Sequence, residues 1–335
     1  MRFYLLLGAI AALIVGYIGY WFFISHQAER ALAGWIEDRR AAGYAVEEQG
    51  LAFGGFPFRI RVDATAPAFG LPSGGARWSA ERLAVIMQPW KLHHALAELD
   101  GRHLLRLPEP GGTLRAVELE VDTGLASVLA DRAGRWEQIR MTMERLGVRD
   151  PARDGAVTSR DAQLYARPGQ REGALLDLVV KAGRTDFDGP GLPAPLRTPI
   201  DRIELDLTLN GTAPAPDLSP RRALEQWRDA GGTLDLNRAV LRQGKFRLEV
   251  SGTVTLDAAL RPLGALTAKV AGHRALIDLF VAAGQLQADQ AASAALALDL
   301  LAVTNGGTLQ APLTLQDGEI RLGPVVLGRL RPVLL

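Results

Sequence analysis

The chain contains 335 residues, of which 38 are basic and 37 acidic, so its formal net charge is +1. This balance excludes a protein that finds nucleic acid through a basic surface. The absence of cysteine excludes disulfides, thiolate metal sites and cysteine nucleophiles. An apolar content of 48% is enough to build a folded core.

The first predicted element is a helix that crosses a membrane. Residues 3–24 carry no charged side chain, and at 1.5 Å per residue they form a helix of about 33 Å, enough for a hydrocarbon core of about 30 Å. Tyr17, Tyr20 and Trp21 gather near its end, as interfacial aromatic residues do. A cleaved signal peptide has a shorter apolar region. We therefore predict a retained signal-anchor at residues 1–24, while small residues at 31–33 leave cleavage open.

The orientation of this anchor follows from the length of the chain behind it. A long C-terminal domain is translocated whatever its charge, so we expect the amino terminus in the cytoplasm and the bulk of the chain outside it. Residues 25–42 predict a juxtamembrane helix that continues or follows the anchor, because Leu32, Trp35 and Ile36 recur at helical spacing. Gly43 is a typical C-terminal cap.

Beyond Gly43 the hydrophobic period changes to two, which predicts β-strands with one apolar and one hydrated face. Strands of this kind belong to antiparallel sheets, since parallel sheets between helices are apolar on both faces. The clearest runs are residues 202–209 and 245–257. Their apolar positions are candidates for the lining of a groove: Ile203, Leu205, Leu207, Phe246, Leu248, Val250, Val254 and Leu256. The same positions would also suit a closed core, and the pattern leaves both alternatives open.

The predicted fold is an α+β body that is rich in strands, with curved antiparallel sheets and a few covering helices. A stretch rich in proline and glycine near residues 186–199 predicts a boundary between two halves, 43–188 and 189–335. One helix is expected near 220–230, where Ser219 caps it, Pro220 opens it and Gly231 and Gly232 end it. Two more are expected within 273–303, divided near Gly284.

No pattern for catalysis or for metal binding is present in the sequence. The nucleophile elbow of hydrolases, the phosphate-binding loop and the helical zinc motif are all absent. His93, His94 and His103 are the only local histidine cluster, and neighbouring side chains of a strand point to opposite faces. We therefore predict no catalytic, cofactor-binding or metal-binding residue and a protein that is not an enzyme.

Five aromatic residues lie close together in the first predicted strands: Phe53, Phe56, Phe58, Trp78 and Trp90. Large aromatic side chains are mostly buried in soluble proteins, so this group predicts the core of the first sheet. A pocket for an acyl chain is the alternative.

Two short motifs resemble a known family. The residues Gly55-Phe56-Pro57-Phe58-Arg59, followed by Gln88-Pro89-Trp90 and His93-His94, are similar to the amino-terminal signature of domain-of-unknown-function family 2125. The carboxy-terminal run from Asp317 to Pro324 is similar to that family's ending. The resemblance implies a membrane-anchored protein of the bacterial envelope with no assigned activity.

The layout of an anchor followed by strands is also distantly similar to AsmA-like proteins. That resemblance implies a single-pass protein of the inner membrane with its body in the periplasm, which binds or moves lipid or assists outer-membrane assembly. The long chain of such transporters is missing here, so direct bridging of two membranes is in doubt. The alternative is a structural scaffold that docks another envelope protein. In either case the membrane is reached through residues 3–24, and neither nucleic acid nor a cofactor is an expected partner.

Overall fold

A computed structural model describes residues 2–72, 75–109, 113–190, 198–215, 218–282, 308–322 and 325–333, together with positions 287, 291 and 295. The first element is a single helix, α1 (Arg2–Ala41), that is long and apolar enough to span a membrane. The predicted anchor and juxtamembrane helix are therefore one continuous helix. It ends where Gly43 takes a φ of +85° and donates its N–H to the Arg40 carbonyl, as the sequence predicts.

The rest of the described chain is dominated by β-strands, which confirms the predicted antiparallel, strand-rich body. The strands are β1 (Ala45–Glu47), β2 (Gly50–Gly54), β3 (Ile60–Thr65), β4 (Ala68–Gly70), β5 (Arg77–Ala80), β6 (Arg82–Gln88), β7 (Lys91–Glu98), β8 (Gly101–Pro108), β9 (Leu114–Ala130), β10 (Trp136–Arg149), β11 (Ala156–Pro168), β12 (Ala174–Ala182), β13 (Thr185–Asp188), β14 (Arg202–Asn210), β15 (Thr233–Gln243), β16 (Phe246–Leu256), β17 (Pro262–Ala271), β18 (Leu309–Gln316), β19 (Glu319–Leu322) and β20 (Val325–Arg329).

These strands form one antiparallel sheet with the topology of a simple meander. Four pairs of consecutive short strands act as single bent strands: β1 with β2, β3 with β4, β5 with β6, and β7 with β8. Both parts of the fourth pair then join β9, and the order continues through β10, β11, β12, β14 and onward to β20. Strand β13 extends the line of β12 along β11.

The bends lie on one line across the strands, which we call the seam. Four of its residues have a positive φ: Ala66 (+46°), Gly101 (+105°), Thr123 (+50°) and Asp161 (+52°). Hydrogen bonds cross from strand to strand there, for example from Ala66 N–H to the Glu81 carbonyl and from Leu99 N–H to the Gly124 carbonyl. The seam lets long strands change direction without losing their partners.

The apolar side chains change alternation at the seam. Ala126 and Met143 belong to one set of alternate positions, and Val121 and Leu146 belong to the other, yet all four pack in one cluster with Leu99. Because a regular strand would place them on opposite faces, the seam is what joins them on one side.

Two further helices are described. Helix α2 (Pro220–Asp229) follows Ser219 and is closed by Ala230 and Gly231, whose φ is +77°. It buries Trp227, whose indole donates to the Asn210 carbonyl at 2.8 Å. Helix α3 (His273–Ala282) lies against β16 and buries Ile277. Both agree with the predicted starts, while the helix expected after Gly284 falls mainly outside the described residues.

The strands on either side of the predicted boundary near 186–199 belong to the same sheet. Strand β12 pairs with β14 along eight registered positions from Ala174 to Ala182, and Thr185 and Ile200 form an isolated bridge. The division into two halves stays a prediction.

Candidate functional site

A continuous band of apolar side chains crosses the sheet from its first strands to its last. In the first row, each residue is the registered partner of the next, in the order Phe53, Val62, Val85, Ala97, Ala126, Met141, Leu164, Val180, Leu205, Ala239, Val250, Ala268 and Ala311. A second row runs beside it through Ile60, Met87, Ala95, Val128, Ile139, Ala166, Leu178, Leu207, Leu236, Gly252, Leu266 and Leu313. We call these two rows the apolar track.

The apolar track covers a considerable distance. The first row takes one residue from each of thirteen strands, and neighbouring strands lie about 4.8 Å apart, so the row is about 58 Å long. A β-bulge keeps it continuous where β14 meets β15: Leu205 faces Ala239 and Leu207 faces Leu236. Since Leu236 and Ala239 are three positions apart, a regular strand would place them on opposite faces.

The structure brings the eight predicted lining residues together on the face of this track. Leu205, Leu207 and Val250 belong to the track itself, and Ile203 lies next to it, in line with Leu241 and Leu248. Phe246, Val254 and Leu256 occupy alternate positions of β16 on the same face. Their role as a groove lining stays a prediction.

The opposite face of the sheet is mostly polar, with Val240 buried between Glu204 and Glu249. The row behind the track includes Glu98, Lys181, Glu204, Glu249 and Lys269. Charge pairs link its strands, such as Arg61 with Glu98 at 2.9 Å and Arg238 with Glu249 at 3.6 Å. The hydrogen bond from Arg247 lowers the pKa of Glu249 against the opposing effect of desolvation. The sheet therefore has one hydrated face and one apolar face.

The apolar face is only partly covered. Val62, Ala126, Val250 and Ala268 are buried, while Leu164, Val180, Leu205 and Leu207 are only half-buried. The accessible surface of the molecule is 20823 Å², whereas a compact monomer of 36.1 kDa exposes about 13,000 Å². Part of this excess comes from α1, most of whose residues are exposed, and part from the half-buried apolar side chains of the described strands.

The amino-terminal helix is joined to two loops at one end of the sheet. Tyr17 donates to the Pro57 carbonyl at 2.6 Å and Trp21 to the Arg59 carbonyl at 3.0 Å, both in the loop between β2 and β3. Tyr20 donates to the carbonyl of Pro89, in the turn between β6 and β7, at 3.0 Å. We call residues 54–59 and 88–91 the collar.

The collar contains most of the residues that carry the sequence resemblance. Gly55, Phe56, Pro57 and Phe58 form its first loop, and Gln88, Pro89 and Trp90 form its second. His93 follows on β7 and is exposed. Gly55 has a φ of +99°, and a Cβ there would lie 2.6 Å from the Arg59 oxygen, so glycine is required.

The prediction that the aromatic group forms the core of the first sheet is wrong for three of its members. Phe56 is 49% exposed, Phe58 69% and Trp90 57%, while Phe53 and Trp78 are half-buried. The burial rule assumes that water surrounds the protein. These three residues lie beside a helix that is apolar enough to span a membrane, and Tyr17, Tyr20 and Trp21 of that helix were the available signal.

The histidines do not converge on a common point. His94 bonds the Ser127 hydroxyl at 2.9 Å. His103 is buried: its Nδ1 accepts from the Trp78 indole, and its Nε2 lies 2.7 Å from the Leu99 carbonyl. Both ring nitrogens of His103 are thus used within the fold, and no group of metal-ligating side chains occurs among the described residues.

A cavity of about 470 Å³ lies at the seam. Its lining includes the carboxylates of Glu98, Asp100, Glu144 and Asp161. Glu98 is held by Arg61, and Asp100 accepts the Gly124 N–H at 2.6 Å. These contacts give the first two carboxylates a structural role in the seam.

Comparison with known proteins gives one match. A family model described as "Uncharacterized protein conserved in bacteria (DUF2125)" matches residues 21–331, nearly the whole chain. No curated protein and no solved structure matches the chain significantly.

Proposed function

The chain belongs to the DUF2125 family of uncharacterized bacterial proteins, and from that premise we propose that it is an envelope protein that binds lipid acyl chains on the apolar track. In this proposal α1 anchors the protein in the inner membrane, with the amino terminus in the cytoplasm and the sheet in the periplasm. The protein moves or holds lipid, or assists outer-membrane assembly, and is not an enzyme.

The observation that carries the proposal is the continuity of the apolar track. Burial of each acyl methylene contributes about 0.8 kcal/mol, so a half-covered apolar band holds a lipid chain without any specific polar group. The track starts on β2 and β3, whose connecting loop is bonded to the helix. A lipid that leaves the bilayer beside α1 would meet the first strands of the track there.

Site-specific photo-crosslinking tests this proposal directly. A benzophenone amino acid replaces Val180 on the track or, as the control, its neighbour Lys181, which is exposed on the opposite face. After irradiation in intact cells, we expect mass spectrometry to find a phospholipid adduct at position 180 and none at position 181. Equal labelling at the two positions, or none at position 180, would contradict the proposal.

The same experiment separates the alternative, a scaffold that docks another envelope protein. A scaffold predicts a defined protein adduct and no lipid at position 180.

A further inference from the structure

The length of α1 fixes the depth at which the collar lies. A hydrocarbon core of about 30 Å takes about 20 helical residues, and counted from Phe3, where the uncharged stretch begins, these reach Phe22. Tyr17 and Trp21 fall within the last two turns of that stretch, where it meets the interfacial layer. Since they donate hydrogen bonds to collar carbonyls over 2.6 and 3.0 Å, the collar must share their depth.

The surface of the collar suits that position. Phe56, Phe58 and Trp90 are largely exposed, and so are Phe22 and Phe23 on the helix beside them. Phe22 and Phe56 stack with their ring centres 6.1 Å apart, and Trp21 meets Phe56 edge-on at 5.3 Å. Helix and loops therefore present one connected aromatic surface. A connected exposed aromatic surface is typical of an interaction site.

The charges around the collar identify the occupant of that surface. No acidic residue occurs within 50–62 or 83–97, the segments that form and flank the collar. The basic residues Arg59 and Lys91 lie at the two loop ends, and Arg59 is exposed. Aromatic side chains with neighbouring basic groups are typical of the parts of membrane proteins that lie among the lipid headgroups.

We propose that the collar enters the interfacial layer of the bilayer, with Phe56, Phe58 and Trp90 among the lipid headgroups and with Arg59 and Lys91 at the phosphates. The sheet is then held against the membrane at two loops as well as through the helix. This inference goes beyond lipid binding on the apolar track and stands without it, because the collar contacts the membrane whether or not the track is loaded.

A soluble protein partner is the competing occupant of the collar. The hydrogen bonds of Tyr17 and Tyr20 argue against it, since these residues lie within the uncharged stretch 3–24 and such a partner would have to enter the membrane to reach their level. At the depth of Tyr17 and Tyr20, lipid is therefore the expected neighbour of the collar.

Depth-dependent fluorescence quenching tests the inference in the full chain. The protein has no cysteine, so Phe58→Cys and Trp90→Cys each give one labelling site for an environment-sensitive nitrobenzoxadiazole dye. The labelled variants are reconstituted in vesicles of phosphatidylethanolamine and phosphatidylglycerol. We expect a blue-shifted emission, a loss of emission when the lipids carry a nitroxide near the headgroup, and protection from aqueous iodide.

Leu114→Cys is the matched control. Leu114 is also an exposed apolar residue, but it lies at the end of β9 remote from the collar, whereas Leu129 at the other end pairs with His94 of β7. Its dye should be quenched by iodide and unaffected by the nitroxide lipid. Collar dyes that behave like this control would overturn the inference, and so would collar dyes shielded from both quenchers, since the latter result indicates a protein contact.

A separate variant guards against an effect of the labels. Trp90→Asp places a charge on an exposed side chain and should leave the circular dichroism spectrum unchanged. If the collar lies in the interface, this variant should reduce nitroxide quenching at position 58. Unchanged quenching would contradict insertion of the second loop.

Discussion

Gly55 is the residue on which the geometry of the collar depends most directly. A methyl group added there would meet the Arg59 oxygen at 2.6 Å, and that oxygen accepts the Trp21 indole N–H. We predict that Gly55→Ala moves this acceptor, breaks the bond to α1 and lowers the free energy of unfolding by about 2 kcal/mol. Chemical denaturation of the full chain in detergent, followed by circular dichroism, measures the change.

Gly54→Ala is the control for this prediction. A Cβ at Gly54 meets nothing within 4 Å, and Gly54 is not among the residues with positive φ. The free energy of unfolding of Gly54→Ala should stay near that of the native protein. Equal stability of the two alanine variants would show that the loop tolerates a displaced Arg59 carbonyl.

Asp257 holds the turn between β16 and β17 and should make stability depend on pH. Desolvation raises the pKa of Asp257, but hydrogen bonds from the Arg261 N–H, the Arg261 side chain and the Ala259 N–H outweigh it, so the net pKa is lowered. A carboxyl whose pKa is lower in the folded state stabilises the fold above its unfolded pKa of about 3.9. That contribution disappears as the pH falls through the folded pKa.

We therefore predict that Asp257→Asn costs about 1 kcal/mol of stability at neutral pH and that the difference from the native protein vanishes in strong acid. Thermal unfolding over a series of pH values measures this difference. Asp229→Asn is the comparison, because the Asp229 side chain is 65% exposed and pairs with Arg228. A difference for Asp257→Asn that persists unchanged at low pH would show that the charge is unimportant.

At the scale of elements, the seam is strained where Thr123 adopts a φ of +50°. A β-branched side chain is unfavourable in the left-handed region, while asparagine tolerates it. We predict that Thr123→Asn raises the free energy of unfolding by about 1 kcal/mol. Thr142 lies on the next strand, is likewise exposed and is not among the positive-φ residues, so Thr142→Asn should bring no gain. A gain at both positions would point to the asparagine side chain rather than to the backbone.

Local signals in the sequence predicted the elements well. Alternation gave the antiparallel strands, and Ser219 with Pro220 gave the start of α2. The seam carried no such signal, because neither an alanine at 66 nor a threonine at 123 is a residue type that indicates a positive φ. The apolar track was equally invisible, since it depends on the register of each strand pair and on a bulge near Asn237.

At the scale of the whole molecule, the exposure of the collar and the length of the apolar track both differ from what the sequence predicts. The sequence predicts a core position for Phe56, Phe58 and Trp90, and the structure exposes all three beside α1. Strand register places the apolar positions of β14 and β16 on one face, and the sequence could not show that this face reaches the first strands. If lipid enters only beside α1, it must move along the track from the first strands toward the last.

Leu164 lies at the middle of the track, between Met141 and Val180, and offers a test of that direction. A charge there opposes the passage of an acyl chain, because an unpaired carboxylate resists burial under hydrocarbon. We predict that Leu164→Glu abolishes lipid crosslinking from a benzophenone at position 313, near the far end, and leaves crosslinking at position 85 intact. Gln163→Glu adds the same charge to the exposed opposite face of β11 and should change neither. If lipid reached both ends of the Leu164→Glu protein equally, loading would occur along the whole open face, and the collar would serve only to hold the sheet at the membrane.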